Sequence, residues 1–179
     1  MKEMANKALR LGIIGAVAAL LLAVTNNFTE PVIAERRAQE LKEALTILSG
    51  GRATGESEAE PAEGVAQRWA LMGGNGWILE MEGTGYGGPM TIVASYDTDG
   101  TILVSRFMDN NETVGFGKKA EEPSYMEIFA GTGGNDPVPR TKSDLGSNAD
   151  VVSGATVTFS GITEALRAGS DLVKEWEGR

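Results

Sequence analysis

The run Asp150-Val151-Val152-Ser153-Gly154-Ala155-Thr156-Val157-Thr158 gathers hydroxyls and small residues directly ahead of a helical pattern. Downstream, Ile162, Ala165, Leu166, Gly169, Val173 and Trp176 recur at three- and four-residue spacing. The first amides of a helix have no intrahelical acceptors and carry partial positive charge, so a phosphate suits such a turn. Gly154 lets the backbone approach a ligand closely, and Ala155 adds only a methyl group. An ordinary cap uses the same residue types, with Thr158 or Ser160 accepting a bond from an orphan amide. Local chemistry leaves both readings open.

Two glycine-containing segments lie upstream. Glu112-Thr113-Val114-Gly115-Phe116-Gly117 is by composition a loop, and Tyr86-Gly87-Gly88-Pro89 within 83–90 is a tight turn. Asp97, Asp99, Asp109 and Glu112 have the chemistry of a carboxylate metal site, yet their spacing fits solvated turns better. The chain has no cysteine and no histidine. That excludes disulfides, thiolate-held iron–sulfur centres, covalent c-type haem and any histidine-dependent triad. Redox chemistry in this chain therefore calls for a bound organic cofactor.

The elements that must position these residues read as α+β, a mostly antiparallel sheet with packed helices. Residues 76–82 alternate Trp77, Leu79 and Met81 against Ile78, Glu80 and Glu82, placing Ile78 on the outward face. Residues 90–97 and 101–108 read as stronger strands, joined by Asp97-Thr98-Asp99-Gly100 with Gly100 at positive φ. This pair is expected at the centre of the sheet. Residues 123–129 suggest a short helix with Tyr125, Ile128 and Phe129 inward, and 131–148 are turn-rich. The last helix is expected to begin after Thr158. Residues 49–68, rich in Gly, Glu, Ala and Ser, read as a mobile connection, with Trp69, Leu71 and Met72 marking the return to the core.

The N-terminus carries a different signal. Residues 11–24 are apolar, and no charge falls between Arg10 and Glu30. Counted through Thr25, Asn26 and Asn27, the window reaches the roughly 20 residues of a spanning helix. Lys2, Lys7 and Arg10 precede it, which predicts a cytoplasmic N-terminus and an exported remainder. A cleaved signal peptide is the competing reading, but no small-x-small site follows Val24. Thr29 is a candidate N-cap for a second helix carrying Pro31 in its first turn, with Ile33, Arg37, Leu41, Ala44 and Leu48 at helical spacing. The expected division is a cytoplasmic start and single span over 1–28, then one exported domain over 29–179. Beyond Arg10 stand 13 basic and 24 acidic residues, a formal charge of −11. Such a surface is unsuited to nucleic acid.

The motif at 150–158 resembles the flavinylation signature of the RnfG and NqrC family of bacterial electron-transport subunits. That signature is Asp, two variable residues, then Ser/Thr-Gly-Ala-Ser/Thr-any-Thr, and every specified position is filled. The loop 112–117 is similar to the family's Glu-Thr-Pro-Gly-Leu-Gly element, with Val114 for proline and Phe116 for leucine. The turn 83–90 is similar to its Gly-Tyr-Gly-Gly-Pro element, and 25–33 resembles the stretch after the span. The resemblance implies FMN joined to Thr158 by a phosphoester. It places Ser153, Gly154, Ala155 and Thr156 in the surrounding turn, and Glu112, Thr113, Gly115 and Phe116 along the flavin. It makes Asp150 part of the element read by a flavin transferase that draws FMN from FAD. The implied function is electron relay in an Rnf-type membrane complex that couples ferredoxin–NAD electron flow to sodium or proton translocation. Its implied partners are other integral membrane and redox subunits. The alternatives are an anchored covalent FMN protein of another respiratory or reductase system, and a non-redox structural module.

Overall fold

A computed structural model describes residues 2–59, 62–73, 76–110, 112–113 and 117–178. The chain forms two compact units, Met1–Leu41 and Lys42–Arg179.

Helix α1 runs from Lys2 to Leu48 without a break. Its residues Leu11, Ile14, Leu20, Leu21 and Leu22 are exposed around the helix, the pattern of a segment whose solvent is lipid. This helix is long and apolar enough to cross a membrane. The expected second helix with Thr29 as N-cap is corrected. Thr29 lies inside α1, its Oγ1 donating back to Thr25 O at 3.0 Å, and Thr25 Oγ1 donates to Leu21 O at 2.9 Å. These back-bonds hold the hydroxyls within the helix, and Pro31 also lies inside it, the helix continuing past the missing amide.

The second unit holds a five-stranded antiparallel sheet in the order β1-β2-β3-β4-β5. Its strands are β1 (Glu58–Ala59), β2 (Val65–Ala70), β3 (Trp77–Gly85), β4 (Gly88–Tyr96) and β5 (Ile102–Asn110). The β4–β5 pair is antiparallel as expected, and Gly100 has φ of 83° in the turn that joins it. The pair is not central, however: β3 is the middle strand and β5 lies at an edge. The reason is that β1 and the start of β2 fall within 49–68, where polar composition hid two further strands. Trp69 and Leu71 are buried as expected, whereas Met72 is exposed.

Ile78 departs from its outward assignment and is buried, as are Val93, Trp69, Leu71, Ala44 and Leu48. Trp69 pairs with Ile78, and Ile78 with Ser95, so this face of the sheet is covered as well. The other face carries the main core. Helix α3 (Thr156–Glu177) lies on it, burying Phe159, Ile162, Ala165, Leu166 and Val173 beside Leu79, Met81, Ile92 and Tyr96. Close approach depends on two glycines. A Cβ on Gly161 would overlap Thr84 O, and one on Gly169 would sit 2.5 Å from Tyr96 Oη. Tyr96 donates its buried hydroxyl to Leu166 O at 3.0 Å, tying β4 to the middle of α3.

The segment 123–129 folds as α2 (Pro123–Met126) followed by a 3₁₀ turn, Glu127–Phe129. Tyr125 and Phe129 are buried, and the Phe129 and Phe159 rings stack with centroids 5.8 Å apart. Two more 3₁₀ segments, Gly117–Glu121 and Lys142–Asp150, lead toward the start of α3.

Candidate functional site

Helix α3 begins at Thr156, not after Thr158, so the motif's last threonine sits within the first turn. Its N-cap is Ala155, which has no side chain able to cap. The first i→i−4 bond runs from Phe159 N to Ala155 O at 2.8 Å. The amides of Thr156, Val157 and Thr158 therefore precede the intrahelical ladder. Ser160, a candidate cap by sequence, instead donates to Thr156 O at 3.0 Å. No side chain among the described residues does the work of an ordinary cap, and the donors of the turn face outward from the helix end.

A cleft of about 490 Å³ opens at this turn, lined by Tyr86, Glu112, Thr113, Gly117, Gly154, Ala155, Thr156, Val157 and Thr158. Its size falls within the roughly 300–1,000 Å³ of small-molecule sites. Three segments distant in sequence build it: the β3–β4 turn, the loop after β5 and the entry to α3. Thr156 and Val157 are exposed, while Thr158 is only 1% exposed and reaches the cleft from the helix's buried side.

Glu112 is the cleft's unusual wall. It is 5% exposed, and its Oε1 accepts from Gly87 N at 3.2 Å. Its Oε2 has no hydrogen-bond partner among the described residues. Gly85 and Gly117 flank the carboxylate so closely that a Cβ on either would overlap one of its oxygens. Two glycines thus make room for a buried acceptor whose remaining lone pairs require a donor. Nearby, burial raises the Tyr125 phenol well above its ordinary range, with a further contribution from the Glu112 charge.

Of the expected site residues, Thr158, Thr156, Gly154, Ala155, Glu112 and Thr113 come together around one cleft. Ser153 stands beside it rather than in its lining, accepting from Lys119 Nζ at its carbonyl and from Lys142 Nζ at its hydroxyl. Gly115 and Phe116, with Val114, lie outside the described residues. Asp97 and Asp99 spend their carboxylates on turn amides, at Thr98 and Thr101. Sequence reasoning passed over Val157, Gly117 and the two lysines. Gly117 was readable, as the closing glycine of a loop that also carries an acid.

Comparison with known proteins shows the family to which the chain belongs. Residues 85–171, spanning β4, most of α3 and all the cleft-lining residues named above, match the FMN-binding domain family. Residues 1–47 match the RnfG N-terminal region. The G subunit of the ion-translocating oxidoreductase complex of Cereibacter sphaeroides is 32% identical over 179 residues, covering 92% of this chain and 81% of that protein. The chain belongs to the RnfG family. The corresponding G subunit of Methanosarcina acetivorans is 28% identical over 188 residues, covering 99% and 98% of the two chains. That of Yersinia pestis is 26% identical, covering 93% and 88%.

The cleft of this RnfG-family chain suits FMN on its own chemistry. The first-turn amides of α3 and the Thr158 hydroxyl would be the donors available to its phosphate. Glu112 Oε2 would be the acceptor for a hydrogen-bond donor of the ribityl chain or ring, and Tyr86 and Val157 would offer apolar contact.

Proposed function

We propose that this chain serves as the RnfG component of an ion-translocating oxidoreductase complex and carries FMN on Thr158 through a phosphoester bond. The observation that supports this most is the convergence of the Glu112 loop and the 154–158 turn on one cleft, with Thr158 in the first helical turn. FMN supplies one- and two-electron transfer when bound, and the chain has neither thiolate nor imidazole to ligate a redox metal. The chain's own task is then to hold and orient the flavin, Thr158 as the covalent anchor, Glu112 as a fixed acceptor, and the α3 amides as phosphate donors.

On this reading, residues 1–28 comprise a cytoplasmic start and the single span, and 29–179 stand on the periplasmic or extracellular side. The basic residues Lys2, Lys7 and Arg10 ahead of the span support that orientation. The chain passes electrons between partner subunits of a complex that couples ferredoxin–NAD electron flow to sodium or proton movement. It is a relay and not a complete oxidoreductase.

The assignment of Thr158 is tested by peptide mass spectrometry on protein matured with an active flavin transferase. The peptide containing Thr158 gains one FMN group, and Thr158→Ala abolishes the gain, while Thr156→Ala retains it. Covalent flavin persisting in Thr158→Ala moves the anchor to another residue.

A further inference from the structure

We propose that Lys119 and Lys142 are phosphate-recognition residues, which hold the phosphate end of a flavin mononucleotide against the first turn of α3. The proposal rests on the reading of the cleft as a flavin site. It adds the side chains that distinguish a phosphorylated flavin from an unphosphorylated one.

The two lysines come from separate 3₁₀ segments and meet at one residue. Lys119 Nζ donates to Ser153 O at 3.2 Å, and Lys142 Nζ donates to Ser153 Oγ at 3.3 Å. Ser153 precedes Gly154, which lines the cleft. Each ammonium has three donors, so two on each remain after the bond to Ser153. Neighbouring charges leave them available. Lys118, not Lys119, pairs with Glu121 at 3.0 Å. Asp144, the acid closest in sequence to Lys142, spends Oδ2 on the amides of Arg140 and Thr141 at 2.9 and 2.8 Å. Asp150 meets the turn through its backbone carbonyl, which accepts from Ser153 N at 3.2 Å. Two ammoniums converging on Ser153, three residues before α3 begins, run against the formal charge of −9 on the whole chain.

Glu112 points independently to a ligand. Its Oε2 is deeply buried, lines the same cleft, and lacks a donor among the described residues. The cleft therefore has a buried acceptor in one wall and the entry to α3 in another, and the two ammoniums are held at Ser153, just outside its lining. A molecule bearing hydrogen-bond donors at one end and a phosphate at the other matches that order. Riboflavin matches only half of it.

The test uses the full-length chain in detergent, made without a flavin transferase so that Thr158 stays free. It is titrated with FMN and separately with riboflavin, following flavin fluorescence. With two partly exposed cations each contributing a few-fold, FMN binds about tenfold more tightly than riboflavin at low ionic strength. Added salt shrinks the preference. The Lys119→Gln/Lys142→Gln double variant loses the preference while its riboflavin affinity is unchanged, and Lys119→Arg/Lys142→Arg keeps it. Unchanged riboflavin affinity also serves as the check on folding. A preference for FMN that survives in the double glutamine variant overturns the proposal, as does wild-type binding of both flavins with equal affinity. Wild-type protein that binds neither flavin, even at concentrations of about ten millimolar, defeats the underlying reading of the cleft instead.

Discussion

Replacing Gly161 by alanine sets two effects of known sign against each other. In a helix interior alanine is favoured over glycine by about 1 kcal/mol. Gly161, however, faces the β3–β4 hairpin, where an added Cβ would overlap Thr84 O and approach Met90 Cε to 2.5 Å and Thr84 C to 3.0 Å. Met90 Cε ends a flexible side chain and can move. Thr84 O is backbone, held in the ladder opposite Pro89, so either the strand or the helix must shift. Overpacking of this kind costs about 1–3 kcal/mol, and a backbone clash belongs at the upper end. The net expectation is a loss of about 1–2 kcal/mol, with packing outweighing propensity. Trp69, Trp77 and Trp176 all lie in the second unit, so urea unfolding of the detergent-solubilised chain is read by tryptophan fluorescence. Ala168→Gly, at an exposed position of the same helix, calibrates propensity alone and should cost about 1 kcal/mol. Because Thr84 leads into Tyr86, and Gly161 follows Thr158 by one turn, the same shift widens the cleft and slows FMN incorporation. Gly161→Ala protein as stable as wild type, beside a destabilised Ala168→Gly, would refute the argument from close packing.

Other consequences follow from the same geometry. Burial raises the phenol pKa of Tyr96 well above 10.0, and burial with the Glu112 charge raises that of Tyr125. The native state keeps both protons while the unfolded chain releases them, so this stabilisation is complete below about pH 10 and declines as pH rises further. Urea midpoints measured from pH 8 to about pH 11.5 should fall, and Tyr96→Phe should flatten that fall, despite losing the bond to Leu166 O; an unaltered slope would count against Tyr96 as a source. Gly117→Ala should cost about 1–3 kcal/mol by displacing Glu112, and combining it with Glu112→Ala should recover part of that loss; simple additivity in the double-mutant cycle would show that the two residues do not compete for space. In the cysteine-free chain, Asn110→Cys should be labelled from outside the cell and Ala5→Cys only after membrane disruption, and the reverse pattern would invert the topology.

The parts of the fold that the sequence announced are those where side-chain chemistry and position coincide. Asp97 through Gly100 had to turn because two strands flank a glycine, and Gly100 takes the positive φ. The apolar stripe from Ile162 to Val173 had to find a sheet. Residues 58–70 gave no comparable signal. Val65 and Trp69 are the buried positions of β2, too few to rise above the surrounding polar residues, so the middle of the sheet was misplaced. Thr29 and Pro31 carried the chemistry of a helix start, yet the hydroxyl bonded backward and the helix continued. At the site, Thr158 was legible because its motif is contiguous. Lys119 and Lys142 were not, because only the fold brings both to Ser153.

The burial of Thr158 bears on how a tethered flavin works. If FMN is esterified there, the bond sits at a side chain only 1% exposed, on the inner side of the first turn of α3. The cleft beyond it remains open enough that Tyr86 and Val157 are exposed at its edge. A free cofactor in so open a site would need affinity built from many contacts. A tethered one does not, since a short linkage gives an effective concentration of roughly millimolar order. A cleft of merely millimolar affinity then keeps the ring docked about half of the time, and each additional tenfold raises that fraction without enclosing the ring. With FMN tethered there, contacts at Glu112 and at the α3 amides would orient the flavin rather than retain it. Retention would belong to the covalent bond. On the proposed reading, that division would let one face of the ring stay accessible to a redox partner, which a deep non-covalent pocket would prevent.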